Sequence, residues 1–104
     1  MTEDQTVQEL VRGAREVIDP ETGLNVIDMG LILHLGYSAA SRTAHVVMTF
    51  TTPACPSGAV MVDGIERRLA QVEGIERVDV EVTFEQRWTP ERITPEGREA
   101  LGWH

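Results

Sequence analysis

Apolar residues return at helical spacing through Val7, Leu10, Val11, Ala14, Val17 and Ile18, which predicts an amphipathic first helix capped by Thr2 or Thr6. A residue preceding proline is pushed out of the helical region, so Asp19-Pro20 places the end of that helix at or just before Asp19. The period then becomes two. In "LILHLGY" Leu31, Leu33, Leu35 and Tyr37 share one face, and after "SAASR" the residues Ala44, Val46, Met48 and Phe50 of "TAHVVMTFT" do the same, which predicts a hairpin. From Pro56 the helical period returns with Val62, Ile65, Leu69 and Val72, and Asp63 and Arg67 face each other one turn apart on the outer side. Gly74 stands where that helix should be capped. "IERVDVEVTF" alternates strictly, with Val78, Val80, Val82 and Phe84 inward. Thr89-Pro90 and Thr94-Pro95 each read as a capping residue followed by a proline at the first helical position, before a short helix closing at Gly102.

The order helix, strand, strand, helix, strand, short helix predicts a two-layer α+β fold with a three-stranded mixed sheet, and 104 residues predict a single domain over 1–104. Chain direction gathers the loops. With the hairpin turning around Ala39 to Arg42, residue 31 lies opposite about residue 50, and the same register carried past the strand ends sets Asp28 beside Pro53 and Cys55. The second helix runs back down the sheet, so the third strand ends at the same edge, delivering Trp88. Asp19, Glu21, Asp28, Thr51, Thr52, Cys55 and Trp88 are thereby predicted to form one rim.

Composition narrows the chemistry of that rim. Seventeen acidic residues against nine basic ones give a net charge of -8, and every basic residue is arginine. Lysine-based Schiff-base or phosphate-loop chemistry is excluded, and the absence of a basic stripe argues against nucleic acid, whose binding depends on neutralising phosphates. No apolar run reaches the roughly 20 residues of a membrane span, and "MTEDQTVQEL" lacks the basic-then-apolar character of a secretory leader, so a cytoplasmic location is expected. The single cysteine suits a reducing compartment.

Cys55, placed just before a helix, is expected to sit near unpaired N–H groups and the positive end of the helix dipole, which favours thiolate. Asp19, Glu21 and Asp28 would repel that thiolate at close range unless a cation intervened or they pointed away; a bound metal would reconcile the two pulls, which makes Cys55 a candidate metal ligand. A small core residue is the plainer reading of a cysteine, and the rim would then be a docking surface anchored by Trp88 beside Arg87. No base serves Cys55 as a nucleophile: His45 lies six strand residues away, about 20 Å at roughly 3.3 Å each. His34 and His45 fall diagonally on the opposite sheet face, too few for a zinc site, and read as exposed strand histidines. No enzymatic activity is expected.

"VIDPETGLNVIDMGLI", "MTFTTPACPSG" and "RWTPERITPEGREALG" together span most of the chain and resemble the SufT-like and PaaD-like family of iron-sulfur cluster assembly domains, or metal-sulfur cluster biosynthetic proteins. The family pattern falls on Asp19, Pro20 and Glu21; on Asp28 and Gly30; on Thr51, Thr52, Cys55 and Pro56; and on Trp88, Thr89 and Pro90. Glu85-Gln86-Arg87 and Ser57 depart from it, and the cysteine-rich extension of the PaaD-like branch is missing, so the SufT-like branch is the nearer comparison. The resemblance implies an accessory role in cluster assembly or delivery, with Cys55 as functional thiol, iron or an iron-sulfur cluster as transient cargo, and client or scaffold proteins as partners. One thiol cannot hold a cluster that ordinarily takes four cysteines, so a homodimer or a client must complete the ligands.

Overall fold

The computed structural model describes residues 2–102. Helix α1 (Glu3–Ala14) leads to strands β1 (Ile32–Ser38) and β2 (Thr43–Met48), helix α2 (Gly58–Leu69) and strand β3 (Arg77–Val82), then a 3-10 turn (Pro90–Arg92) and helix α3 (Pro95–Ala100). The sheet order is β1-β2-β3, antiparallel between β1 and β2 and parallel between β2 and β3. This is the expected α+β arrangement. α1 packs against β1 and α2 against β3. Between the layers lie Leu10, Met29, Leu31, Met48, Met61, Ile65 and Leu69, all fully buried, each stabilising the fold by about 1.5–3 kcal/mol.

Thr2 is the cap of α1, in a reciprocal capping box with Gln5. The helix stops at Ala14, short of the expected Val17 and Ile18. Those two residues are drawn into extended pairing with the next loop: the Val26 N–H donates to the Val17 carbonyl at 2.9 Å, the Asp19 N–H to the Leu24 carbonyl at 2.8 Å, and Ile18 bridges Asn25. Tertiary hydrogen bonds override the helical periodicity there.

The hairpin register holds from Leu35↔Val46 to Ser38↔Thr43, but an irregularity between Ile32 and His34 shifts it by one residue, setting Ile32 opposite Met48. Ile32, Leu35 and Tyr37 therefore pack against the core, in place of the expected Leu33. Helix α2 begins at Gly58, two residues beyond Pro56, because the preceding segment is held in turns: the Cys55 N–H donates to the Thr52 carbonyl and the Gly58 N–H to the Cys55 carbonyl, both at 3.2 Å. Met61 takes the buried position on its first turn, and Val62 is half-buried. Phe84, expected inward, is 38% exposed and meets Phe50 edge-to-face with ring centroids 6.0 Å apart. The Asp63–Arg67 ion pair forms at 2.9 Å. His34 and His45 are exposed, and His45 Nδ1 lies 3.8 Å from Asp79 Oδ2.

Candidate functional site

The loop after α1 folds around Asp19, which is only 2% exposed. Asp19 Oδ1 accepts the Glu21 N–H at 2.9 Å, and the Asp19 carbonyl accepts the Gly23 N–H at 2.8 Å, closing a turn that Gly23 completes in the left-handed region (φ 78°). The turn projects Glu21 outward. Its carboxylate meets the half-buried Cys55, with Sγ donating to Oε1 at 3.2 Å.

That contact corrects two expectations. The carboxylate beside Cys55 is Glu21 rather than Asp28, and the thiol is not biased toward thiolate. Burial first, then the hydrogen bond to Glu21, push the Cys55 thiol above its ordinary value, the charges of Glu21 and Asp19 add to the rise, and the Ser57 backbone opposes it. Cys55 precedes α2 by three residues, and the opposing hydrogen bond from the Ser57 backbone is outweighed by burial and Glu21. Iodoacetamide should therefore modify metal-free Cys55 more slowly than the unfolded chain, with the rate rising at a pH midpoint above the ordinary thiol value of about 8.5. Glu21→Gln should lower that midpoint. A folded-state midpoint at or below that of the unfolded control would contradict the geometry.

Asp28 serves the scaffold. Its carboxylate accepts from Arg15 Nη1 at 3.0 Å, Asn25 Nδ2 at 2.8 Å and Thr94 Oγ1 at 3.0 Å, while its carbonyl accepts the Thr94 N–H at 2.9 Å. Partial burial alone would raise its pKa, but the hydrogen bonds from Asn25, Thr94 and Arg15 hold the carboxyl below the usual aspartate value. The neighbouring residues bind the same C-terminal segment: Trp88 Nε1 donates to the Met29 carbonyl at 2.7 Å and Arg92 Nε to the Gly30 carbonyl at 2.9 Å. Residues 88–101 thus form a strap fastened to the loop 28–30. Trp88 is half-buried and packed against the core, with its indole N–H engaged internally.

A cavity of about 340 Å³ opens between strap and loop, with Asp19, Glu21, Thr22 and Thr51 contributing polar groups and Met29, Trp88, Ile93 and Leu101 apolar ones. Thr51 and Trp88 also line a smaller cleft of about 160 Å³ with Thr52, Phe50, Phe84 and Arg87. Of the seven rim residues expected, Asp19, Glu21, Thr51 and Trp88 share the larger cavity, Cys55 joins it through Glu21, Thr52 lies in the adjoining cleft, and Asp28 is turned to the strap. Arg15, Arg92 and Thr94 complete the fastening, and the sequence pattern carries no signal of that role. Thr94 is visible there only as a helix cap, which it also is, and nothing local marks its bond to Asp28 across 66 positions. Among the described residues no group of three or more His, Cys, Asp or Glu side chains is placed to hold a metal ion.

Residues 8–82 match the family described as iron-sulfur cluster assembly protein. An Fe-S protein maturation auxiliary factor of Porphyromonas gingivalis is 33% identical over 99 residues, covering 95% of this chain and 93% of that protein. The Fe-S protein maturation auxiliary factor SufT of Staphylococcus aureus is 29% identical, covering 83% of this chain and 97% of that protein. A solved structure of a conserved hypothetical protein from Thermotoga maritima superposes with a TM-score of 0.80 at 36% identity, covering 98% of this chain and 99% of that one. With the family match over residues 8–82, and the Porphyromonas gingivalis relative and the Thermotoga maritima structure each covering nearly the whole chain, this chain belongs to the iron-sulfur cluster assembly protein family.

Proposed function

We propose that the protein is a non-enzymatic accessory factor in the maturation of iron-sulfur proteins, and that Cys55 is the thiol through which it takes hold of iron or a cluster in transit. The observation that carries this reading is the Cys55 Sγ–Glu21 Oε1 contact of 3.2 Å beside the cavity that Asp19 and Glu21 line. A protonated thiol beside carboxylates is a resting state that a metal cation reverses, since coordination deprotonates a thiol outright and the cation's charge removes the repulsion from Glu21 and Asp19. The names of the relatives, maturation auxiliary factors, support the same assignment.

One thiol and its neighbouring carboxylates leave a cluster short of ligands, so the remainder come from a second copy or from the client or scaffold protein. The protein acts in the cytoplasm, where free thiols persist; no helix among the described residues is long and apolar enough to cross a membrane. Anaerobic incubation with ferrous iron and sulfide, followed by size-exclusion chromatography with absorbance detection, should give the wild type visible absorption in a dimer-sized species, and Cys55→Ala a colourless monomer. Equal absorption in the two proteins would remove the thiol from the mechanism and leave the rim as a docking surface with a structural cysteine.

A further inference from the structure

We infer that the cavity behind Asp19 receives a guanidinium group, carried on an arginine side chain of the protein that gives or takes the cluster. Asp19 is only 2% exposed, yet its carboxylate accepts a single hydrogen bond among the described residues, from the Glu21 N–H at Oδ1, and no basic side chain pairs with it. A carboxylate buried without a counter-charge is costly. No side-chain nitrogen or oxygen among the described residues is both sealed from solvent and unpartnered, so the second oxygen of Asp19 is not sealed from solvent, and Asp19 is one of the residues lining the cavity.

The walls narrow the choice of occupant. At about 340 Å³ the cavity lies near the lower end of the range for ligand pockets, about 300–1,000 Å³. Its lining includes the acidic residues Asp19 and Glu21 together with Trp88, whose indole is fixed by the 2.7 Å bond from Nε1 to the Met29 carbonyl. A planar guanidinium matches carboxylates with its fork of donors, stacks on indole, and sheds water more readily than an ammonium. An inorganic cation fits less well, because no set of three ligating side chains is assembled among the described residues. Of the protein's own arginines near the cavity, Arg15 is held by Asp28, Arg92 by the Gly30 carbonyl and Arg98 by the Ile93 and Pro90 carbonyls, while Arg87 lines the adjoining cleft and not this cavity. A chain of net charge -8 also attracts cationic segments.

Assigning the arginine to a cluster donor or client rests on the function proposed above; binding of the guanidinium does not, and is measured on metal-free protein. The probe is N-acetyl-arginine methylamide, titrated while amide and indole N–H resonances are followed by NMR, with the citrulline analogue as neutral isostere and propylguanidine as a singly charged free guanidine. Saturable shifts confined to the cavity residues, no response to citrulline, and affinity at least about tenfold lower in Asp19→Asn or Glu21→Gln are expected, tenfold being about 1.4 kcal/mol. Melting curves establish that each variant folds, and Glu21, which is exposed, decides the matter if Asp19→Asn does not fold. Absence of saturable shifts or equal binding of citrulline would overturn the inference. Propylguanidine binding more tightly than the blocked arginine would overturn the assignment to a protein side chain.

Discussion

Gly30→Ala is expected to destabilise the protein by about 3–5 kcal/mol, a large share of the roughly 5–15 kcal/mol that holds such a domain together. Gly30 has φ 74°, a left-handed conformation that costs an alanine about 1–2 kcal/mol. A Cβ there would also overlap the carbonyl and Cβ of Arg92, and backbone cannot swing aside as a side-chain tip can. The strap must lift, losing the Arg92 Nε–Gly30 carbonyl bond, a charge-assisted contact of about 1.5–3 kcal/mol. Gly23 supplies the control: its φ is 78°, but a Cβ there meets nothing within 4 Å, so Gly23→Ala should cost only the conformational part. Urea denaturation of the two variants checks this; costs within about 0.5 kcal/mol of each other would show that the strap does not press on Gly30.

Asp28→Ala should cost about 2–4 kcal/mol at pH 7, because it removes one carboxylate and strands Arg15, Asn25 and Thr94 together. The effect carries a pH signature. Hydrogen bonding holds the folded-state pKa of Asp28 below its unfolded value of about 3.9, so its contribution is complete above that value and disappears as pH falls through the folded pKa. The gap between wild type and variant should therefore be constant from pH 7 to about 5 and shrink toward pH 2. A gap that persists unchanged into acid would mean that the ionised carboxylate is not what fastens the strap. Because the strap contributes Trp88, Ile93 and Leu101 to the cavity, the variant should also weaken cavity binding without touching Asp19 or Glu21.

The sheet and its two covering helices are legible in the sequence because each alternation or helical stripe is set by residues close together, as in Val78, Val80 and Val82 or Ile65 and Leu69. What escapes is decided at long range. Val17 and Ile18 carry helical spacing, yet pairing with Asn25 and Val26 claims them, and the irregularity near Leu33 is invisible to a period-two pattern. At the site, a straight register carried beyond the strands puts Asp28 next to Cys55. The one-residue shift and the turn at Asp19–Gly23 instead bring Glu21 there and leave Asp28 to Thr94, 66 positions away. The expected thiolate is not favoured for a related reason: a turn closed by the Gly58 N–H on the Cys55 carbonyl separates Cys55 from the start of the helix, and the Glu21 carboxylate accepts from the thiol.

Ligation of metal by Cys55 is tested most directly by cobalt(II), whose bond to a thiolate gives an intense charge-transfer absorption that oxygen and nitrogen ligands do not produce. Titrated anaerobically, wild-type protein should develop that band to a stoichiometric end point and Cys55→Ala should show none. Superimposable spectra from the two proteins would contradict the role given to Cys55.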